Sequence, residues 1–417
     1  MTPARTIPIF PEIPRPQNQK LALGSTAKNP ENPLEFRKSP VLSLYVHIPW
    51  CVRKCPYCDF NSHEAGATIN EREYVDALIA DLQSALPLIW GRPVQTVFFG
   101  GGTPSLLSAG AIDELIGAFR ALAMLSPEAE ITLEANPGTV EAGKFAGFRA
   151  AGVNRLSLGI QSFNDEHLKA LGRIHGSAEA RRAAQLAGEH FERFNLDLMY
   201  GLPYQTQEQA LTDIDTALSF APPHLSCYQL TLEPNTHFAA FPPDLPEGDL
   251  CADMQEAIEA RLATAGYANY ETSAFAQPGR QCLHNLNYWH FGDYLGIGAG
   301  AHSKLTLHDR VLRQMRHKHP KAYLENIRAG RPIQEEHNVA AAELPFEFMM
   351  NALRLADGFA PSLFELRTSR PLTAILPQLK AAQADGLLDI GPEKIAPTAK
   401  GRRFLNVLLE RFLDDGQ

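Results

Sequence analysis

Residues 44–60 read Leu44-Tyr45-Val46-His47-Ile48-Pro49-Trp50-Cys51-Val52-Arg53-Lys54-Cys55-Pro56-Tyr57-Cys58-Asp59-Phe60, an apolar run that opens into three cysteines spaced C-x3-C-x2-C. That spacing gathers three thiolates around one point on a short loop. A closed tetrahedral zinc site or a fully ligated iron–sulfur cubane needs a fourth protein ligand. With three, one iron of a 4Fe-4S cluster stays open, and an open iron binds a substrate or cofactor directly. The competing reading is zinc with His47 or His63 as the missing ligand. Zinc motifs usually come as paired C-x2-C or Cys/His clusters, and this spacing is not one of them.

The 417-residue chain is 45% hydrophobic, enough to bury a large core in two or three domains. Its 38 Lys and Arg against 47 Asp and Glu give a formal charge of −9, which provides no overall pull toward nucleic acid. No apolar run approaches the roughly 20 residues of a membrane span, and no signal-peptide core is expected at the N-terminus. Of six cysteines, the three outside the loop (Cys227, Cys251, Cys282) are scattered singly, unlike a disulfide framework. A reducing cytoplasm is the expected compartment, since an exposed three-thiolate loop oxidises elsewhere.

Residues 1–40 carry eight prolines and little apolar periodicity, which predicts a flexible Pro-rich arm. From residue 41 to 276, short β-branched and aromatic runs alternate with helical patterns. Strands are expected at 42–48, 94–99, 130–135, 154–160, 194–199 and 225–232, and helices at 74–86, 111–122, 178–187 and 208–219. Several strands read as nearly continuous apolar runs, as parallel strands covered by helices require, and a sixfold β-α alternation implies right-handed crossovers. The expected fold is α/β, a partial (β/α)6 barrel. Reactive groups in such folds sit at the C-terminal ends of strands. Cys51, Gly100, Glu134, Gln161 and Asp197 fall at or just past those ends, around one mouth.

Residues 277–340 interrupt the alternation and read as a connecting region. Residues 341–417 are helical again, with Leu405, Leu408, Leu409 and Phe412 at amphipathic spacing and a small ribbon expected over 389–395. Helices plus a wing predict a winged-helix-like C-terminal domain. Its one basic cluster, Lys400, Arg402 and Arg403, is followed by acidic residues, so DNA is not the expected partner.

The cysteine loop resembles that of radical S-adenosylmethionine (SAM) proteins, specifically the oxygen-independent coproporphyrinogen III oxidase-like family and within it the HemW-type heme chaperones. The resemblance runs from about Leu42 to the C-terminus. It implies that Cys51, Cys55 and Cys58 hold the cluster and that Gly100-Gly101-Gly102-Thr103-Pro104 holds the methionyl amine of SAM. Three glycines also let backbone approach a ligand without Cβ interference, ahead of a helix start whose N–H groups are free. The resemblance further implies that Glu134 accepts from the ribose hydroxyls, that Gln161 and Asp197 add polar contacts, that Arg173 receives the methionyl carboxylate and that Tyr45 lies near cluster-bound SAM. An electron from the reduced cluster then cleaves a C–S bond of SAM to a 5′-deoxyadenosyl radical.

A second motif, His284-Asn285-Leu286-Asn287-Tyr288-Trp289, resembles the H-N-x-x-Y-W signature of the heme-chaperone branch. An imidazole suits heme iron as an axial ligand, and Tyr288 and Trp289 offer aromatic surface to a flat macrocycle. A buried histidine satisfying a loop carbonyl is the plainer reading of the same residues. Cys282 reads as an inert buried thiol. Two functions follow. One is a heme carrier with cluster and SAM, passing heme to an acceptor protein, drawing on an electron donor and touching a membrane only through that acceptor. The other is a coproporphyrinogen III dehydrogenase decarboxylating propionate side chains. The oxidases of the family carry a further cysteine two residues after the third ligand, where this chain has Phe60. With the His284 motif present, the carrier is the favoured expectation.

Overall fold

A computed structural model describes residues 34–66, 69–139 and 142–413. Most of the Pro-rich arm assigned to residues 1–40 lies outside the described residues. Six strands run parallel in chain order: β1 Leu42–Ile48, β2 Val94–Gly101, β3 Leu125–Ala135, β4 Arg155–Gln161, β5 Phe194–Tyr200 and β6 His224–Gln229. The crossovers are α1 Glu71–Ile89, α2 Ala109–Leu122, α3 Ala142–Ala150, α4 Asp165–Ala170 with α5 Ser177–His190, and α6 Gln207–Leu218; α7 Gly248–Thr264 follows β6. The start of α6 is fixed by a capping box, with the Thr206 hydroxyl accepting from Gln209 N and the Gln209 side chain from Thr206 N.

The strands are not the continuous apolar runs that the composition suggested. Strand β1 alternates Leu42, Leu44, Val46 and Ile48 with Ser43, Tyr45 and His47, and β4 alternates Leu156, Leu158 and Ile160 with Arg155, Ser157 and Gln161. The apolar set packs under the helices in one large core with Val97, Phe99, Leu133, Leu196 and Leu225. The other set meets itself on the opposite face. Thr96 donates to Ser43 at 2.8 Å, Asn195 to Ser157 at 2.9 Å and Ser226 to Asn195 at 3.1 Å. A period of two with polar groups on one face is what a sheet curling around a polar interior demands.

The sheet continues past both ends of this set. Antiparallel β7 Ala268–Glu271 and β8 Ala274–Ala276 extend it beyond β6. Residues 277–340 carry α8 Leu283–Trp289 and then four further strands. These are β9 Asp293–Ile297, parallel to β1, and antiparallel β10 His302–Thr306, β11 Val311–Arg316 and β12 Ile333–Asn338. Among the described residues the order is β12-β11-β10-β9-β1-β2-β3-β4-β5-β6-β8-β7. The helix α9 Pro320–Arg328 lies between β11 and β12. Hairpins give no β-α-β signature, and polar Lys304, Gln314 and Arg316 interrupt the apolar pattern, so these strands read as a connection.

The C-terminal part has its own core of Phe348, Phe364, Leu379, Leu408, Leu409 and Phe412, with Phe348 meeting Phe359 and Phe364 edge to face. Its ribbon is an antiparallel pair, β13 Leu388–Ile390 and β14 Ile395–Pro397.

One fully buried ion pair ties α1 to the appended strands. Arg316 Nε lies 3.1 Å from Asp81 Oδ1, and both residues are 0% exposed. Asp81 Oδ2 also accepts from the Tyr323 hydroxyl at 3.0 Å and from Gly298 N at 3.1 Å. With its lone pairs this well satisfied the carboxylate is stable in the interior, and loss of the cation would strand it. We expect Arg316→Met to destabilise the protein by about 3–5 kcal/mol, read as a lowered unfolding midpoint in urea.

Candidate cofactor site

Trp50–Cys51 pairs in parallel with His63–Glu64, so the cysteine loop leaves β1 and returns beside its own start. Cys51, Cys55 and Cys58 are free and half-buried. Each has a hydrogen-bonding side chain from a different place: the Thr103 hydroxyl at Cys51, Arg173 Nη1 at 3.5 Å from Cys55 Sγ, and Ser62 Oγ at 3.8 Å from Cys58 Sγ. Burial pushes the Cys51 and Cys58 thiols up. Bound iron would reverse this, because a coordinated thiol is deprotonated. Three soft thiol donors, each beside a hydrogen-bonding side chain, fit an iron–sulfur cluster. His47 does not fit as a fourth zinc ligand, since its nitrogens are taken by the Tyr45 hydroxyl and Asn61 O, both at 3.0 Å. Among the described residues no three His, Cys, Asp or Glu side chains group closely enough to hold a single metal ion, and His63 packs edge-on against His319.

The glycine loop leaves β2 directly against the cysteine loop. Gly102 N donates to Ile48 O and Thr103 N to Trp50 O, each at 2.7 Å. A Cβ on Gly101, at φ 112°, would lie 2.5 Å from the His47 ring, and one on Gly102 would lie 2.5 Å from Trp50 O. The absent side chains therefore admit the cysteine loop itself. Gly100 faces the interior beside Tyr45, Phe98 and Glu134.

Behind this loop lie Glu134, Gln161 and Arg173, three of the residues that the resemblance assigns to SAM. Glu134 Oε2 accepts from Gly101 N at 3.2 Å and keeps further acceptor capacity. Desolvation and then the Asp197 charge push its carboxyl up to about 8. Gln161 holds a left-handed backbone, φ 70°, and its side chain accepts from the Tyr228 hydroxyl at 2.7 Å. Such backbone costs a non-glycine residue about 1–3 kcal/mol and concentrates at functional sites. Arg173 Nη2 donates to Asn136 Oδ1 at 2.5 Å and to Gly159 O at 2.8 Å, which orients the guanidinium across the mouth. Asp197 departs from expectation: it lies in the middle of β5, not at its end. There it accepts from Asn195 at 2.7 Å and from Ser157 at 3.3 Å.

Asn136, Tyr57, Tyr228 and Ser62 touch these residues and escaped the sequence reading, Tyr57 through its hydroxyl at 3.5 Å from Arg173 Nη1. Asn136 links Arg173 to the glycine loop, since its Nδ2 donates to Thr103 Oγ1 at 3.0 Å. It stands two residues after Glu134, which was the available signal.

The second motif occupies α8, against the same interior. His284 is 1% exposed. Its Nδ1 is 2.7 Å from Thr96 Oγ1, and because that hydroxyl donates to Ser43, the imidazole must donate through Nδ1. Nε2 therefore carries the lone pair and, among the described residues, meets only the Tyr288 hydroxyl, at 3.3 Å. Burial and then Arg155 push the imidazole down to about 3, so it is neutral. Neutral imidazole oriented through its other nitrogen is the form that ligates metals, so the donor chemistry fits iron, with Tyr288 as the group to be displaced. Trp289 lies under the Arg354 guanidinium, 4.5 Å from its ring centre. Asn285 is half-buried. Cys282 is buried beside Glu130, its thiol pushed up to about 12, as an inert thiol should be.

The Radical SAM superfamily pattern matches residues 45–217, and the HemN C-terminal domain matches residues 339–404. The fold and the site are thus those of a radical SAM protein, a class that implies a 4Fe-4S cluster and SAM. The chain is 51% identical over 378 residues, 90% of its length and 99% of the relative's, to heme chaperone HemW of Escherichia coli (strain K12). Heme chaperone HemW of Haemophilus influenzae is 49% identical over 384 residues, 91% of this chain and 99% of that relative. The solved coproporphyrinogen III oxidase HemN of Escherichia coli, a radical SAM enzyme, superposes with TM-score 0.77 at 27% identity, covering 90% of each chain. The chain belongs to the heme chaperone HemW family.

Because Glu134 sits near pH 8, SAM affinity should rise with pH. Below 8 the carboxyl is protonated and offers fewer acceptor sites to ribose; above 8 it is ionised. Equilibrium dialysis should show roughly five- to tenfold tighter binding at pH 9 than at pH 7, and Glu134→Gln should bind weakly with that rise abolished.

Proposed function

We propose that this chain is a heme carrier that holds a 4Fe-4S cluster through Cys51, Cys55 and Cys58, binds SAM at the mouth of its polar interior, and passes heme to an acceptor protein. The observation that carries the reading is the position of His284: a neutral imidazole, anchored at Nδ1, in the wall of the interior whose mouth the cysteine loop closes. The relatives' name, heme chaperone, points the same way. Tyr45, Gly101, Gly102, Thr103, Glu134, Gln161, Arg173 and Asp197 form the SAM shell in this reading. His284 would hold heme iron through its imidazole, with Asn285, Tyr288 and Trp289 from the same helix beside it.

With cluster and SAM bound, the pair supplies one-electron chemistry. The protein's own residues position and enclose. Arg173 fixes the orientation of a carboxylate, Glu134 accepts hydroxyls, and the Gly100–Gly102 turn brings both within reach of the cysteine loop. An electron donor and a heme acceptor complete the cycle. Among the described residues no helix is long and apolar enough to cross a membrane, and a reducing compartment such as the cytoplasm suits the free thiols.

Two measurements test this. Anaerobic titration with heme, followed at the Soret band, should saturate at a stoichiometric ratio in the wild type, with weakened binding or an altered spectrum in His284→Ala. Mutation-insensitive binding would remove His284 as ligand, and no binding at all would shift the assignment to porphyrinogen decarboxylation despite Phe60. Separately, Cys55→Ala should lose the cluster, so iron retained at the wild-type level would overturn the three-cysteine assignment.

A further inference from the structure

Ser62 lies four residues past the last cysteine and is 4% exposed. Its Oγ is 3.8 Å from Cys58 Sγ, and the same hydroxyl also faces Cys51. A free thiol and a hydroxyl can share their proton in either direction, but a thiolate bound to iron has none, so the hydroxyl must then donate. Donors to cluster sulfurs stabilise the reduced, more negative cluster and raise its potential.

The neighbouring residue shows why this hydroxyl stays in place. Asn61 Nδ2 donates to Ala299 O at 3.0 Å and to Lys318 O at 2.9 Å, while Asn61 O meets His47 Nε2. The receiving loop follows β9 and is itself pinned. Ala299 N donates to the Tyr74 hydroxyl at 3.0 Å, Gly298 N donates to Asp81, and the Tyr74 hydroxyl donates to His47 O at 2.8 Å. Gly300, at φ 80°, leaves the gap that the Asn61 amide fills, since a Cβ there would sit 2.2 Å from Asn61 Nδ2. A strut thus runs from the buried Asp81–Arg316 pair through residues 298–300 and Asn61 to the peptide carrying Ser62. Ser62 N closes the turn onto Phe60 O at 2.6 Å.

We propose that Ser62 is a positioning residue of the cluster, donating its one hydroxyl proton to the Cys58 sulfur and raising the cluster's reduction potential, with Asn61 as the strut that presents it. The inference rests on the reading of Cys51, Cys55 and Cys58 as cluster ligands.

The test is an anaerobic redox titration of the full-length, reconstituted protein, monitored by EPR without substrate, in wild type, Ser62→Ala and Ser62→Thr. Iron and sulfide content should match in all three. The Ser62→Ala midpoint should move to more negative potential, so that at the wild-type midpoint the ratio of reduced to oxidised cluster falls severalfold; a tenfold fall corresponds to 59 mV for a one-electron couple. Ser62→Thr keeps a hydroxyl and should return most of the shift. A coincident midpoint in Ser62→Ala overturns the proposal. So does a Ser62→Ala protein that loads no cluster, because Ser62 would then build the loop without tuning it. A wild-type protein that holds no iron fails the underlying cluster reading as well.

Discussion

The cysteine loop is wedged between two glycine turns, and the rest of the site depends on that close approach of backbone to backbone. On one side Gly102 N and Thr103 N donate to Ile48 O and Trp50 O. On the other, Gly298 comes close enough to β1 that a Cβ would fall 2.5 Å from His47 O. Only glycine permits both approaches at no steric cost. The thiols are therefore placed by the edges of β2 and β9, the two neighbours of β1, together with the loop's own turns and its return beside Trp50–Cys51.

The polar face of the sheet sets the electrostatics. Glu134 and Asp197 are both pushed up by burial, while His47, His224 and His284 are pushed down by it. Desolvation disfavours the charged form of every one of these groups, so the interior moves toward neutrality at pH 7 even though it is lined with titratable residues. Arg193 and Glu130 form an ion pair at 3.0 Å. A neutral, hydrogen-bonded interior keeps imidazole lone pairs available for ligands without a large Born penalty.

Much of this was legible in the sequence. The six parallel strands, the cysteine spacing and the turn that starts at Gly100 are local signals, readable because each lies within a few residues. The alternation within β1 and β4 was also present in the letters, yet Ser43, Ser157 and Gly159 are small and were absorbed into an apolar reading. The four strands after α8 were not legible, since hairpin pairing between polar-interrupted segments leaves no periodic trace. Asn61, Ser62 and Asn136 escaped for a different reason. Their roles come from contacts that join elements far apart in sequence, such as Asn61 with Ala299, and short polar residues in loops look alike until the fold gives them partners.

The His284 tautomer shows how such long-range contacts specify chemistry. Thr96 has a single proton, and it is directed at Ser43, which also accepts from the Asn287 side chain at 2.8 Å. Since Thr96 can only accept from the imidazole, Nδ1 must carry the hydrogen and Nε2 must be bare. Asn287 belongs to the same helix as His284 and also donates to Asp293 O at 2.9 Å, which fixes α8 to β9. One helix thus docks on the sheet and sets the proton position of its own histidine through the same serine. If Ser43 lost its hydroxyl, Thr96 would be free to turn its proton toward the imidazole, and Nε2 would become a donor. The ligand character of His284 is therefore a property of the β1–β2–α8 junction, not of the histidine alone.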